Sequence, residues 1–149
     1  MVYYHPRNGG LPRQKGSSKL VANRREFNVI WKEAHAAGFE AADKHTPTPM
    51  IVVDRANPLD DSSPIIRQYA PVAGGLCGFA WVNIKPGNSA FANWAKEYKG
   101  VRKDSYYGGV THWVSQYGQS HGKKAAYAQA FAEVLRKHGI NAYAMDRLD

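Results

Sequence analysis

Apolar residues recur at helical spacing in three stretches of this chain. From Phe27 onward the positions i, i+3, i+4 and i+7 are apolar, which predicts a helix over residues 23–43. A second helix is predicted to begin near Ala90 and to be closed by Gly100. A third helix with the same spacing is predicted over residues 120–138.

Between these helices the apolar residues are grouped in short runs or alternate along the chain, which predicts strands. There are five such segments: residues 50–54, 65–69, 77–84, 110–117 and 140–145. In the third segment Phe79 and Trp81 alternate with Ala80 and Val82. Because all four residues are apolar, we expect both faces of this strand to be covered by other elements.

The order of elements from residue 77 onward is strand, helix, strand, helix, strand. Such units favour parallel strands joined by right-handed crossovers through the helices. With the N-terminal helix and two short strands added, the sequence predicts a single α/β domain over residues 22–149. We expect it to contain a mixed α+β sheet of about five strands and two crossover helices. Residues 1–21 show neither the helical nor the strand spacing of apolar residues, and they hold several glycines and prolines. We therefore expect them to form an extended arm.

Basic residues are concentrated in this arm. The net charge is +8, and the first 25 residues carry six basic and no acidic side chains. A second basic region, residues 85–124, holds seven basic and two acidic side chains. A basic arm and a basic region suit contact with a polyanion, either a nucleic acid or an acidic protein. The alternative is a charged surface that only keeps the protein dissolved.

Composition argues against several classes of protein. No apolar run approaches the roughly 20 residues of a membrane-spanning helix, and the N-terminus lacks the apolar core of a secretory signal. We therefore expect no membrane partner. The single cysteine, Cys77, cannot form an internal disulfide and is expected to be a small buried side chain. Histidine and cysteine lack the close spacing of metal ligands, so we predict neither a metal site nor a cofactor.

Two of the predicted helices begin directly after a strand and a short glycine-containing loop, residues 85–89 and 118–124. A helix N-terminus presents free N–H groups and a partial positive charge, so each loop can bind an anion. If the strands are parallel, both loops lie at one edge of the sheet and converge on one phosphate-bearing ligand. The residues expected to hold phosphate are Lys85, Gly87, Asn88, Ser89, Ser120, Lys123 and Lys124. Ordinary turns capped by serine or asparagine are the alternative.

Tyrosines beside the loop glycines can stack on a base. Tyr107 and Tyr117 each precede a glycine in a predicted loop, where a ring is free to contact a ligand. By contrast, Trp81, Trp94 and Trp113 fall in predicted strands or helices. We therefore assign most of the tryptophans to the core.

A GxSxG sequence around Ser120 matches the nucleophile elbow of serine hydrolases and lies between a strand and a helix, as that motif requires. The acid and then histidine that follow the serine in such enzymes are missing, because His121 and His138 both precede Asp146. We therefore interpret Ser120 as a helix cap. His112 and His121 remain candidates for acid–base catalysis, or for a hydrogen bond to a bound ligand.

Three segments within residues 76–149 resemble known sequences: CGFAWVNIKPGNS, SYYGGV with WVSQYGQS, and INAYAMDRLD. They are similar to a group of small uncharacterised proteins encoded by tailed bacteriophages. The resemblance implies a phage-encoded protein that acts in the cytoplasm of a bacterial host or belongs to the virion. It transfers no activity and no site residue.

Together these features predict a non-enzymatic binding protein for a phosphate-bearing ligand, either a nucleotide signal or a nucleic acid. In a phage, such binding would serve counter-defence by sequestering a host signal or by occupying a nucleic-acid surface. One alternative is a virion or assembly component whose arm docks on a neighbouring subunit in a homo-oligomer. Another is a small metal-independent phosphodiesterase or nuclease that uses the two histidines.

Overall fold

In a computed structural model, the backbone is described for residues 11–149 and the side chains for residues 23–149. Its first element is helix α1 (Leu11–Lys44). Residues 11–21, for which an extended arm is expected, are part of this helix, and residues 1–10 lie outside the described residues. Pro12 falls in the first turn of α1, where a residue without an N–H is tolerated. The residues that follow it include lysines, leucine and alanine, which favour a helix.

The described residues form three helices and six strands, so the predicted α+β fold is confirmed. The elements after α1 are β1 (Val53–Arg55), β2 (Ile65–Gln68), β3 (Gly78–Ile84), α2 (Ala90–Tyr98), β4 (Arg102–Lys103), β5 (Val110–Trp113), α3 (His121–Lys137) and β6 (Ala142–Leu148). Within the described part of the chain, strands β1 and β2 pair only with each other, and the other four strands form one sheet. Both predicted helices of the C-terminal half are confirmed within one residue of their ends. Strand β4 was not predicted, because its two charged residues give no apolar pattern.

The four-stranded sheet has the order β4-β5-β3-β6, and every neighbouring pair is antiparallel. Helix α2 joins β3 to β4, which run in the same direction with β5 between them. Helix α3 likewise joins β5 to β6, with β3 between them. The predicted crossover helices are confirmed, but the predicted parallel pairing is wrong, because an antiparallel strand lies inside each crossover. This β-α-β-β-α-β arrangement has the ferredoxin-like topology.

One face of the sheet, the inner face, packs against the helices. On β3 the inner residues are Ala80, Val82 and Ile84, all of them fully buried. The largest core side chains contributed by the helices are Trp31, Phe91, Trp94, Tyr127 and Phe131. Most of the hydrophobic burial in the described residues is therefore on this side of the sheet.

The opposite, outer face carries the alternate residues of the same strands. On β3 they are Phe79, Trp81 and Asn83, because successive strand residues point to opposite faces. All three described helices pack on the inner face, so none of them covers this one. The expectation that both faces of β3 are covered is nevertheless confirmed for most of the strand, because Trp81 and Asn83 of the outer face are also buried, at 7% and 2% exposure. The outer face is where the described structure exposes a group of aromatic rings.

Candidate nucleic-acid interface

The outer face is built from residues that the strand register places side by side. Across the sheet, Trp81 of β3 is paired with Trp113 of β5 on one side and with Met145 of β6 on the other. One step along, Phe79 is paired with Arg147 of β6. A row of large side chains therefore crosses the two central strands and reaches the β6 edge.

The two tryptophans are stacked. Their ring centroids are 5.5 Å apart and the ring planes differ by 9°. Trp81 is only 7% exposed, whereas Trp113 is 46% exposed. Trp113 is thus packed against its cross-strand neighbour Trp81 and still exposes part of its ring to solvent.

Tyr107, in the loop between β4 and β5, extends this aromatic surface. Its ring centroid lies 6.2 Å from that of Trp81, and the residue is 43% exposed. The tyrosine and tryptophan rings line a cavity of about 490 Å³ on the outer face. The residues Phe79, Trp81, Tyr107 and Trp113 are called the aromatic platform below.

Asp104 holds the loop that carries Tyr107. Its carboxylate accepts hydrogen bonds from the backbone N–H groups of Tyr106 and Tyr107, both at 2.9 Å, and from Thr111 Oγ1 at 2.8 Å. The hydrogen bond from the Tyr107 N–H is the largest of the causes that lower the pKa of Asp104. Asn83 Nδ2 donates to the Gly108 carbonyl at 2.8 Å and fixes the other side of the loop. The position of Tyr107 is therefore set within the protein itself.

Basic side chains surround the platform. The Arg147 guanidinium lies 5.3 Å from the ring centre of Phe79, and Arg102 is paired with Thr111 at the β4 edge. Lys85 is exposed and close enough to contribute to the lowered pKa of Asp104. The two acidic residues at the platform are engaged internally, Asp104 as described and Asp146 with His121. The cations therefore remain available to an anionic ligand.

The two predicted anion loops do not converge. Residues 85–89 follow the C-terminal end of β3, whereas Ser120 forms a bridge with Cys77, just before its N-terminal end. Seven residues of strand separate these ends, which corresponds to roughly 20 Å at about 3.3 Å per residue. The expectation that they share one ligand is wrong, because β5 runs antiparallel to β3 and returns the chain to the opposite end.

At the start of α3 the predicted ligand groups already have partners inside the fold. Ser120 Oγ caps the helix by accepting from the Lys123 N–H. Lys123 Nζ donates to the Ala42 carbonyl at 3.0 Å, and the buried Lys124 donates to the Gly78 carbonyl at 3.4 Å. These contacts fit the alternative of an ordinary capped turn.

At the start of α2, Ser89 is also a helix cap and accepts from the Ala92 N–H at 3.1 Å. Gly87 packs against the backbone of Gly109 on the β4–β5 loop. The Asn88 carbonyl accepts from Asn93 Nδ2 at 3.3 Å. This loop therefore supports the loop of the aromatic platform from one end of the sheet.

The two predicted stacking tyrosines lie on opposite sides of the sheet. Tyr107 is on the aromatic platform, whereas the Tyr117 ring is near Phe39 and Tyr127 on the helical side. Tyr117 also has a positive φ of 70°, which a non-glycine residue rarely adopts. Of the two predictions, the geometry keeps Tyr107 at a surface that can receive a base.

The two candidate catalytic histidines lie apart. His112 is on the inner face, where its ring centroid is 4.7 Å from that of Trp31 and its Nε2 is 3.5 Å from the Tyr127 hydroxyl. Burial lowers the pKa of His112 to about 4, with a smaller contribution from His35. His121 Nε2 is 2.5 Å from Asp146 Oδ2, beside the start of β3. A two-histidine catalytic site is therefore not assembled in this geometry.

Trp113, Trp81 and Phe79 are the platform residues that sequence reasoning missed. The alternation of aromatic and small residues in β3 was visible, but the same pattern is typical of a strand buried on both faces. The exposure of Trp113 beside the buried Trp81 follows only from where the helices pack and from the strand order of the sheet.

Among residues 11–149, no helix is both long and apolar enough to cross a membrane. Within the same residues, no three histidine, cysteine or acidic side chains are grouped so that they could hold a metal ion. Comparison of the chain with known protein families, with curated proteins and with solved structures finds no match.

Proposed function

We propose that this protein binds single-stranded nucleic acid, without cleaving it, across the outer face of its four-stranded sheet. The observation that carries the proposal is the exposed ring of Trp113, stacked on the buried Trp81 on the face that no described helix covers. Aromatic rings of this kind stack on unpaired bases with any sequence, at about 1–3 kcal/mol per base.

The topology supports the same proposal by analogy. In RNA-recognition motifs, a four-stranded sheet stacks two or three bases on aromatic residues. Here the two central strands, β5 and β3, carry Trp113 and the pair Phe79 and Trp81. The analogy concerns strand order and ring placement alone.

Charge favours a nucleic acid over an uncharged ligand. Lys85, Arg102 and Arg147 border the platform, and the chain as a whole has a net charge of +8. A single-stranded nucleic acid matches both the rings and the cations, because its bases are free to stack on the rings and its phosphates can contact the basic side chains. In the bacterial host implied by the resemblance to phage proteins, such binding would occupy a nucleic acid that a defence system needs.

Replacement of the exposed rings tests the proposal. We expect Trp113→Ala and Tyr107→Ala each to weaken binding of a fluorescein-labelled oligonucleotide about tenfold or more, because each removes one stacking surface. Fluorescence anisotropy with mixed-sequence DNA and RNA strands measures this effect.

Tyr69→Ala is a matched control, because Tyr69 is also 43% exposed but lies beside the two-stranded β1–β2 ribbon. It should leave the affinity unchanged. Equal affinities for the wild type, both platform variants and this control would exclude the platform as the binding surface.

A second candidate function, self-assembly, is favoured by the ribbon. Strands β1 and β2 form a separate pair, and the hydrophobic residues Ile51, Ile65 and Ile66 are each at least half exposed. Because no described residue pairs with the outer edges of the ribbon, the partner we propose is the same ribbon of a second copy.

Mass photometry distinguishes this candidate from the first. Assembly predicts a dimer or larger species that Ile66→Lys converts to a monomer, while oligonucleotide binding is retained. A wild-type monomer at micromolar concentration would exclude this candidate.

A further inference from the structure

A second cavity, of about 470 Å³, lies at the β4–β5 edge of the sheet beside the aromatic platform. Thr111 and Trp113 line both this cavity and the first one. Its other lining residues are Lys99, Gly100, Arg102, His112 and Ser115. Because it adjoins the ring proposed to stack on a base, the backbone of a bound strand can pass here.

Lys99 contributes a cation whose position is fixed by aromatic rings. It is the C-cap residue of α2, and its Nζ lies 6.0 Å from the ring centre of Trp31 and 5.7 Å from that of Trp94. Cation–π attraction holds an ammonium in such a place. Neither Lys99 nor Arg102 forms an ion pair with an acidic residue of the described chain, and no lining residue of this cavity is acidic.

Two histidines lie near these cations. His112 lines the cavity, and His35 lies behind it with its Nδ1 2.5 Å from the hydroxyl of the buried Tyr127. The pKa of His35 is lowered by burial and, to a smaller extent, by the charge of Lys99. Because the pKa of each imidazole is lowered, the positive potential that favours an anion here comes from Lys99 and Arg102.

We propose that this cavity holds a phosphate group, with Lys99 and Arg102 as its cations and the Ser115 hydroxyl as a further donor. A guanidinium offers two parallel N–H donors that match the oxygens of a phosphate. This inference rests on the proposed function and adds the path of the bound strand. The backbone crosses the sheet edge at β4, next to the base that stacks on Trp113.

A structural role for Lys99 is the alternative, since a cation near a helix C-terminus stabilises that helix. The salt dependence of binding separates the two roles. For a single strand, each phosphate contact adds about 0.7 to the slope of log affinity against log salt. We expect Lys99→Gln and Arg102→Gln each to reduce the slope for a labelled oligonucleotide by about 0.7, and the double variant by about 1.4.

Lys96→Gln is the matched control, because Lys96 is an exposed lysine of the same helix that does not line the cavity. It should leave the slope unchanged. Wild-type slopes in Lys99→Gln and Arg102→Gln, with oligonucleotide binding intact, would overturn the phosphate site and leave the proposed function standing. Slopes reduced as stated, in folded variants, would support it.

Inorganic phosphate tests the cavity without a nucleic acid. The imidazole resonance of His112 should shift when phosphate is titrated into the wild type, and the shift should be lost in the Lys99→Gln, Arg102→Gln double variant. Such a shift without oligonucleotide binding would keep the phosphate site and refute the proposed function. If neither phosphate nor an oligonucleotide has any effect on the wild type, both proposals fail.

Discussion

The partly buried histidine His112 makes the stability of this protein sensitive to acid. Its pKa is lowered to about 4 in the folded chain, against about 6.5 in an unfolded one. Between these values the unfolded chain binds a proton that the folded chain excludes, so stability is lost as pH falls from about 6.5 to 4. We expect a loss of up to about 1.4 kcal/mol per pH unit from this group.

Urea unfolding at several pH values measures the loss. His112→Gln should flatten the dependence on pH between 6.5 and 4. His35 adds to the slope in the same direction, because its pKa is also lowered by burial and then by Lys99. A wild-type stability that rises on acidification in this range would contradict the partly buried, neutral state of His112.

At the same scale, the sequence identified some site residues and missed others for a physical reason. Lys85 and Tyr107 were predicted as ligand contacts, and both lie at the outer face. Their prediction was possible because each stands beside a glycine-containing loop, which is visible in the sequence. Ser120 and Lys124 have the same local signals, yet their side chains bond inside the fold. Which partner a polar side chain reaches depends on tertiary packing that the local sequence does not encode.

At the scale of elements, helix α1 approaches helix α3 closely at one glycine. A Cβ added to Gly38 would lie 2.6 Å from the Tyr127 ring, which is fully buried and cannot move aside. We expect Gly38→Ala to lower the free energy of unfolding by about 1–3 kcal/mol, because the overpacking outweighs the roughly 1 kcal/mol by which alanine favours a helix.

Gly122→Ala provides the comparison. Its added Cβ would meet the end of the His45 side chain, which is exposed and can turn away. Thermal or urea unfolding should therefore show this variant to be as stable as the wild type or more stable. Equal destabilisation by both substitutions would argue against a close α1–α3 contact at Gly38.

Element bounds were predictable where local signals agree. In α2 the apolar spacing of Phe91 and Trp94, the cap Ser89 and the closing Gly100 all indicate the same helix. Strand β4 lacked such agreement, because Arg102 and Lys103 form a strand only by pairing with β5. An element that exists only through its neighbour leaves no periodic signal.

At the scale of the whole molecule, the crossovers were predictable and the strand order was not. A helix that joins two strands returns the chain to the same end of the sheet, which favours strands of the same direction. The local sequence pattern does not indicate whether a third strand lies between the two strands that a helix joins. This single difference turned two expected neighbouring anion loops into loops at opposite ends of β3, and left the aromatic platform as the candidate site.

The bonds from Asp104 and Asn83 that position the Tyr107 loop have a kinetic consequence. A loop already held in the free protein has little conformational entropy left to lose when a partner arrives. Under the proposed function, encounter with a strand would then require no slow rearrangement at this surface, and electrostatic attraction alone could accelerate it. Strands of different sequence would therefore associate at similar rates and differ in residence time.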